Sequence, residues 1–330
     1  MRRFIKLGVV LGVLLLVVVG VMGATRLNSF SKAISGKGLM TSEIAKRAGN
    51  ADRFNVLVLG YGGKDHGGAN LTDSILLYSI PMEGGEGAGQ ISVPRDLWIE
   101  SPVGSDAYRK VNAAYSTAIA TGASPRRAAD VAAKSMGAAL GVPVHGWLTV
   151  DFDGFRDLVD AIGGVEVDVQ RTFTARYPRN DDPSVDHRWT TVKFEKGPQE
   201  MDGETAIRYA RARYSANPVE GSDFGRAARQ QRLVSAIKAK LLSPAEVLRG
   251  FAVADAVQDD VRTNLSVSDL ARVFRHRTDP ERSVVLNENN VLVAGTSSDG
   301  QYILMPRGQD WGALRRFVRS SLRGTTTARK

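Results

Sequence analysis

The 330-residue chain has no cysteine. That excludes disulfides, thiolate metal sites and a cysteine nucleophile, so an ordinary packed core must supply the stability. An exported bacterial protein that does without disulfides is the plain reading of such a composition. Histidine is nearly as scarce: the four residues stand singly, and no His-Glu-x-x-His, Ser-His-Asp spacing or Walker loop is present. Internal repeats and heptad runs are missing as well. Long apolar runs are lacking with one exception near the N-terminus. The rest, in a chain with 43% hydrophobic and 24% charged residues, has the balance of a globular domain, which excludes wholesale disorder and a polytopic membrane protein.

The exception is Leu7 to Ala24, eighteen residues without a charge, about the minimum for crossing ~30 Å of hydrocarbon at ~1.5 Å per residue. Arg2, Arg3 and Lys6 precede it and by the positive-inside rule stay in the cytoplasm. The sequence therefore predicts a single-pass protein of the cell membrane, with a cytoplasmic stub over 1–6, a transmembrane helix over 7–24 and an extracellular body. A cleaved signal peptide is the competing reading, but its apolar region is usually about 7–15 residues long. Both readings put the body outside and set nucleic acid aside as a partner. For a net charge of +9, the remaining anionic partners are phosphates, lipid headgroups and acidic polymers of a cell surface.

Residues 25–50 are small and polar and read as a juxtamembrane linker, with a short helix over Met40 to Arg47. Phe54 to Gly60, Ser74 to Ile80 and Gln90 to Val93 read as strands, the last two joined by a glycine-rich hairpin loop. Helices follow at Asn112 to Ala120 and Ser124 to Leu140, the second capped by Ser124 with Pro125 at its first position and stopped by Gly141. Trp147 to Val150 and Val165 to Val169 are strands around a helix over Asp153 to Ile162, with Asp153 assigned as its cap. Arg171 to Gly197 reads as a charged loop. Asp202 caps a helix reaching about Arg213, and Asp223 opens a longer one that ends before Pro244.

Strands mixed with helices without strict βαβ alternation predict an α/β fold, a three-layer α-β-α sandwich around a mixed sheet. It spans 51–243 and is preceded by the transmembrane helix. Residues 244–330 carry helical signals at Val247 to Ala254 and Val267 to Phe274. Strand signals follow at Val284 to Leu286 and Asn290 to Ala294, with a last helix from Asp310 to about Leu322. They read as a C-terminal extension or small lobe, or as further layers of the same core, without a catalytic constellation.

Five polar clusters stand at element ends. In Gly60 to Gly68 followed by Leu71-Thr72-Asp73-Ser74, glycines let backbone approach an anion and Asp73 can hold a hard cation, although for this cluster taken alone a flexible turn with a capping Asp is the better reading. His66 is a second-rank candidate. Arg95 in Val93-Pro94-Arg95-Asp96 and Lys110 in Lys110-Val111-Asn112 can contact phosphate oxygens. The fourth, Val150-Asp151-Phe152-Asp153, reads as helix capping. The fifth is the most informative: Arg208, Arg211 and Arg213 end one helix, and Arg226, Arg229 and Gln230 open the next. Cations in a helix's first turns oppose its dipole, so a sequence chosen for stability alone would not place them there. They point to an anion bound between them, and a pyrophosphate suits a helix N-terminus with several guanidinium groups.

These segments together resemble the LytR-CpsA-Psr family of cell-envelope proteins, over about Arg53 to Leu242. The residues that carry the likeness are Asn55 to Gly60, Leu71-Thr72-Asp73-Ser74, Ser92 to Asp96, Lys110 to Tyr115, Val150 to Phe155, Gly163-Gly164-Val165 and Asp223-Phe224-Gly225-Arg226 with Arg229-Gln230-Gln231. The resemblance implies transfer of a glycopolymer from a polyprenyl pyrophosphate carrier to peptidoglycan through a phosphodiester bond, with the lipid tail in an apolar tunnel and Mg²⁺ at the pyrophosphate. By position, Arg95, Arg211, Arg213 and Arg226 would grip the pyrophosphate with Lys110 beside them, Gln230 would assist, and Asp73 would ligate the metal. Asp73, Arg95 and Arg226 would form the catalytic set. Gly62-Gly63 and Leu71 depart from the family pattern, which often has a further Asp in the loop and Arg before the Ser-Asp-Thr. The rival functions are a non-catalytic binder of lipid-linked precursors and a polyprenyl pyrophosphate phosphatase.

Overall fold

The computed structural model describes residues 44–63, 66, 68–82, 87–101, 108–178, 188–212, 214–241, 261–266, 269–270, 272–273, 276 and 278–324. The stub, the apolar run over 7–24 and most of the linker lie outside them, as do Arg213 and the helical signal at Val247 to Ala254. Among the described residues, no helix is long and apolar enough to cross a membrane.

In chain order, α1 (Ile44–Ala48) leads into β1 (Arg53–Gly60), β2 (Ser74–Pro81) and β3 (Ala88–Ser92). The short pair β4 (Trp98–Glu100) and β5 (Tyr108–Lys110) precedes α2 (Ala113–Ala120) and α3 (Pro125–Leu140). Then come β6 (Gly146–Val150), α4 (Phe152–Ala161), β7 (Val165–Val169), β8 (Phe173–Pro178), β9 (Trp189–Phe194) and β10 (Gly197–Met201). Helices α5 (Gly203–Arg211) and α6 (Asp223–Leu241) are followed by β11 (Val261–Thr263), β12 (Thr278–Val285), β13 (Leu292–Thr296), β14 (Tyr302–Pro306) and α7 (Trp311–Arg323).

The central sheet has six strands in the order β11-β6-β1-β2-β3-β12. It is mixed: β1 runs antiparallel to β2 and parallel to β6, while β12 runs parallel to β3. Period-two alternation divides its side chains between two faces. Leu57, Leu59, Ile75, Leu77 and Ile91 join the core with Met136 and Leu140 of α3 and Leu314 and Val318 of α7. Phe54, Val56, Tyr78 and Ile80 belong to a separate cluster. On their side, α6 is tied down by Lys238 Nζ donating to Tyr78 Oη at 2.7 Å and Gln231 Nε2 donating to Ser92 Oγ at 2.8 Å. Beyond α6, the pair β7–β10 and the pair β8–β9 build a second core around Phe173, Phe194, Tyr209 and Leu233.

Several local expectations need correction. Helix α4 is capped by Asp151, whose Oδ1 accepts from Gly154 N at 2.9 Å, and Asp153 sits in the first turn paired with Arg156. The position two residues earlier wins because Asp151 has extended backbone, which a cap requires. The stretch read as a charged loop contains the antiparallel pair β8–β9 and ends where β10 begins. Phe173, Ala175 and Tyr177 alternate inward against outward Thr174 and Arg176, a strand signal diluted by the prolines and charges around it. For the C-terminal part, where the sequence left a small lobe and further layers of the core both open, the described residues place β11 and β12 in the central sheet and pack α7 against β3, β12 and α3. Arg315 and Arg319 of α7 also donate to the Ala138 and Gly141 carbonyls at the C-terminal end of α3, at 2.9 and 3.2 Å.

Candidate anion-binding site

The C-terminal ends of β1 and β3 and the start of β2 open at one edge of the sheet, and the first turns of α6 lie across it. There Asp73, Arg95, Arg226 and Gln230 line one cavity of about 200 Å³, whose remaining wall includes Ile75, Val93, Phe224, Val285, Tyr302 and Leu304. Cationic and apolar surfaces thus meet in one space.

Each polar group is held by a neighbour. Arg95 Nη1 donates to both carboxylate oxygens of Asp73 at 3.1 Å, and Asn112 Nδ2 donates to Asp73 Oδ1 at 3.2 Å. Asp96, in the same wall, takes Lys110 Nζ at 2.7 Å, so Lys110 stands one ion pair behind the cavity. Ser74 Oγ donates to Gln230 Oε1 at 3.0 Å, which fixes the orientation of that amide. Arg226 is buried in the wall.

Burial alone would push the Asp73 carboxyl up, but the charge and hydrogen bond of Arg95, the Asn112 hydrogen bond and the charge of Arg226 outweigh it and hold it below the ordinary range. Asp73 is therefore ionised at neutral pH. Because its folded value is depressed, its contribution to stability is complete above the unfolded value of about 3.9 and is lost as pH falls through the lower folded value. Acid titration of unfolding should accordingly show a shallower loss of stability below about pH 5 in Asp73→Asn than in the parent.

Arg211 takes a different place. Its guanidinium lies 4.0 Å from the centroid of Phe152 and 5.1 Å from that of Tyr177, and Nη2 is 2.7 Å from His66 Nε2. Arginine can only donate, so Nε2 of His66 is the acceptor in that contact. Arg211 is thus in a neighbouring aromatic cluster outside the cavity lining. The structure brings together Asp73, Arg95, Arg226 and Gln230, sets Lys110 behind Asp96 and Arg211 beside His66, and leaves Arg213 outside the described residues.

Arg229, which looked like a second cation awaiting an anion, has one within the protein. It is fully buried and donates from Nη1 to Glu220 Oε2 at 2.7 Å and Glu220 O at 2.8 Å, from Nε to Tyr209 O at 2.9 Å, and from Nη2 to Ala212 O. These bonds tie the end of α5 and the turn after it to the helix bearing Arg226 and Gln230. Gly225 serves the same junction, because a Cβ there would collide with the Val219 carbonyl oxygen. Gly225→Ala is expected to lose about 1–3 kcal/mol in chemical denaturation through overpacking.

Sequence reasoning missed the apolar contribution of the C-terminal strands. Val285 ends β12, and Tyr302 and Leu304 belong to β14. The run Tyr302-Ile303-Leu304-Met305 carries an apolar strand signal but no chemistry of its own.

The fold and cavity define an α/β protein with an arginine-lined anion site backed by apolar walls. The chain belongs to the LytR-CpsA-Psr family, since the model of the LytR_cpsA_psr family matches residues 22–316. Among its relatives is the polyisoprenyl-teichoic acid–peptidoglycan teichoic acid transferase TagU of Enterococcus faecalis, 28% identical over 272 residues that cover 81% of this chain and 80% of that one. The transferase TagV of Bacillus subtilis is 28% identical over 222 residues, 66% of this chain, and the match spans about half (51%) of its length. Crystal structures share the fold: a Streptococcus agalactiae protein has a TM-score of 0.64 at 22% identity, with 86% of this chain and 91% of that one covered. Bacillus subtilis TagU has 0.58 at 20% identity, with 82% and 97% covered.

Proposed function

We propose that the protein is an enzyme that transfers a glycopolymer from a polyprenyl pyrophosphate carrier to peptidoglycan. The convergence of Arg95, Arg226, Asp73 and Gln230 on a cavity with apolar walls is the observation that carries this reading, because a pyrophosphate joined to a lipid needs both surfaces. Relatives named as teichoic acid transferases support it. The body, a three-layer α-β-α sandwich, would work outside the cell membrane, held by the helix over 7–24.

In the reaction, an acceptor hydroxyl oxygen bonds to the phosphorus that bears the glycopolymer. The bond from that phosphorus to the bridging oxygen breaks, polyprenyl phosphate leaves, and the hydroxyl proton is released. Such a transfer needs positioning and charge stabilisation more than covalent help from the protein. Arg95 and Arg226 would hold the phosphate oxygens and take up charge on the leaving phosphate. Gln230 would orient one oxygen through its fixed amide.

Asp73 suits a metal ligand: its carboxylate is ionised and 42% exposed. Mg²⁺ commonly takes one or two carboxylates plus substrate phosphates. Among the described residues, no group of three or more His, Cys, Asp and Glu forms a cage of its own, so substrate phosphates would complete the set. Bound there, Mg²⁺ would neutralise phosphate charge. Titrating a short-chain polyprenyl pyrophosphate into the full-length protein in detergent tests this reading. Binding that Mg²⁺ tightens in the parent but leaves unchanged in Asp73→Ala is expected. Absence of binding by the folded parent with every divalent ion tried would refute it.

A further inference from the structure

The β8–β9 pair turns Phe173, Ala175 and Phe194 into the second core, buries Tyr177 on the same face and leaves its other face to solvent. On that face Arg176 has an aromatic neighbour on each side. Its guanidinium carbon lies 5.2 Å from the centroid of Trp189, and its backbone is bridged to Tyr214, with Arg176 N donating to Tyr214 O at 3.0 Å. Trp189 and Tyr214 meet edge to face, with centroids 5.1 Å apart. They are 36% and 61% exposed, among the few large apolar side chains of the described residues left so open.

We infer that Trp189, Tyr214 and Arg176 form a platform for the acceptor glycan, a β-1,4-linked N-acetylhexosamine strand. This rests on the transferase reading. In such sugars the substituents are equatorial, so each ring presents a flat face of C–H bonds to an aromatic side chain, while hydroxyl and acetamido oxygens at the rim accept hydrogen bonds from a guanidinium. Exposed indole and phenol rings beside an arginine supply both. Aromatic rings in this state bring large apolar area with little conformational entropy to lose.

The place of the platform fits an acceptor. Tyr177, next to Arg176, faces the Arg211 guanidinium, and Arg211 touches His66 in the loop that leads to Asp73. Tyr214 likewise follows closely on the end of α5, which Arg229 ties to the helix bearing Arg226. Contacts beneath the platform therefore join its strand to the loop before Asp73 and its Tyr214 to the helix bearing Arg226, so a glycan strand lying on this face would be held by elements that also carry the anion site. Both rings are exposed, so their removal leaves the core intact.

The test uses full-length protein in detergent and tetra-N-acetylchitotetraose as the probe, with binding followed by calorimetry and by saturation transfer from protein to sugar protons. Trp189→Ala is expected to weaken binding at least tenfold, Tyr214→Ala and Arg176→Gln less, and Trp189→Phe to restore part of it. Polyprenyl pyrophosphate affinity should be unchanged in all four. Equal sugar binding by parent and Trp189→Ala would overturn the platform while leaving the anion site standing, as would no sugar binding by a parent that still takes the pyrophosphate. Loss of a dimer in sedimentation on Trp189→Ala, without any sugar effect, would assign the surface to a second copy and also overturn it. Failure of the transferase reading would show separately, as absent pyrophosphate binding.

Discussion

Arg226→Ala is expected to weaken polyprenyl pyrophosphate binding by about 2–5 kcal/mol, the range for truncating one partner of a buried, hydrogen-bonded charge pair. Isothermal titration against the parent measures it. The size follows from placement: Arg226 is buried in the cavity wall, where solvent screens its charge little, and it lies close enough to Asp73 to help hold that carboxyl ionised. Arg226→Lys keeps the charge but loses the planar fork, so it should recover only part of the affinity. The same substitution to alanine should raise the pKa of Asp73, because one of the charges that lower it is gone. An exposed arginine makes a useful contrast. Arg316 on α7 is 68% exposed and pairs with Asp310 at 3.6 Å, and its loss should change neither binding nor stability measurably.

The second large effect concerns stability. Arg229→Met strips the buried Glu220 of its 2.7 Å partner, leaving only the exposed Arg171 at 3.5 Å, and removes donors from three carbonyl oxygens, those of Tyr209, Ala212 and Glu220. Breaking a buried pair from one side costs about 3–5 kcal/mol. At about 2–4 °C per kcal/mol for a domain of this size, the melting temperature should fall by about 6–20 °C. A second change, Glu220→Leu, removes the buried carboxylate left with that weaker partner and should return part of the loss, so the double variant melts above Arg229→Met alone. Differential scanning calorimetry of the four proteins in the cycle checks both statements. The pair also holds the end of α5 to α6, so the single variant should weaken pyrophosphate binding even at temperatures where it remains folded.

Most of the sheet was legible because its strands are apolar and bounded by glycine. Phe54 to Gly60 reads as a buried strand by composition alone, and Ser124, Pro125 and Gly141 mark both ends of α3 as capping chemistry requires. The hairpin β8–β9 was hidden by its outward charges and by its own prolines, and β11, only three residues long, is too short to show a period. What the sequence could not show was partnership across distance. Arg226 and Arg229 look alike in a line of letters, three apart at the start of one helix. Glu220 and Asp73 make them different: the first satisfies Arg229 in the core, and the second faces Arg226 across a cavity. Arg211, which the family resemblance placed on the pyrophosphate with Arg95, Arg213 and Arg226, packs against Phe152, Tyr177 and His66, contacts that a line of letters does not show. The C-terminal strands are a parallel case. Nothing in Val285, Tyr302 and Leu304 suggests a site until β12 pairs with β3 and Leu304 of β14 bridges to Leu97, which together set them around Asp73 and Arg95.

The most direct test of the central claim is product analysis of one reaction: full-length protein, a short polyprenyl pyrophosphate-linked glycan and a peptidoglycan fragment, with Mg²⁺, followed by mass spectrometry. The glycan joined to the fragment through a single phosphate, together with free polyprenyl monophosphate, is the predicted result, lost in Arg95→Ala and Arg226→Ala. Release of the glycan phosphate into water without the fragment, or recovery of the intact carrier after binding, would contradict a transferase and leave a phosphatase or a binding protein in its place.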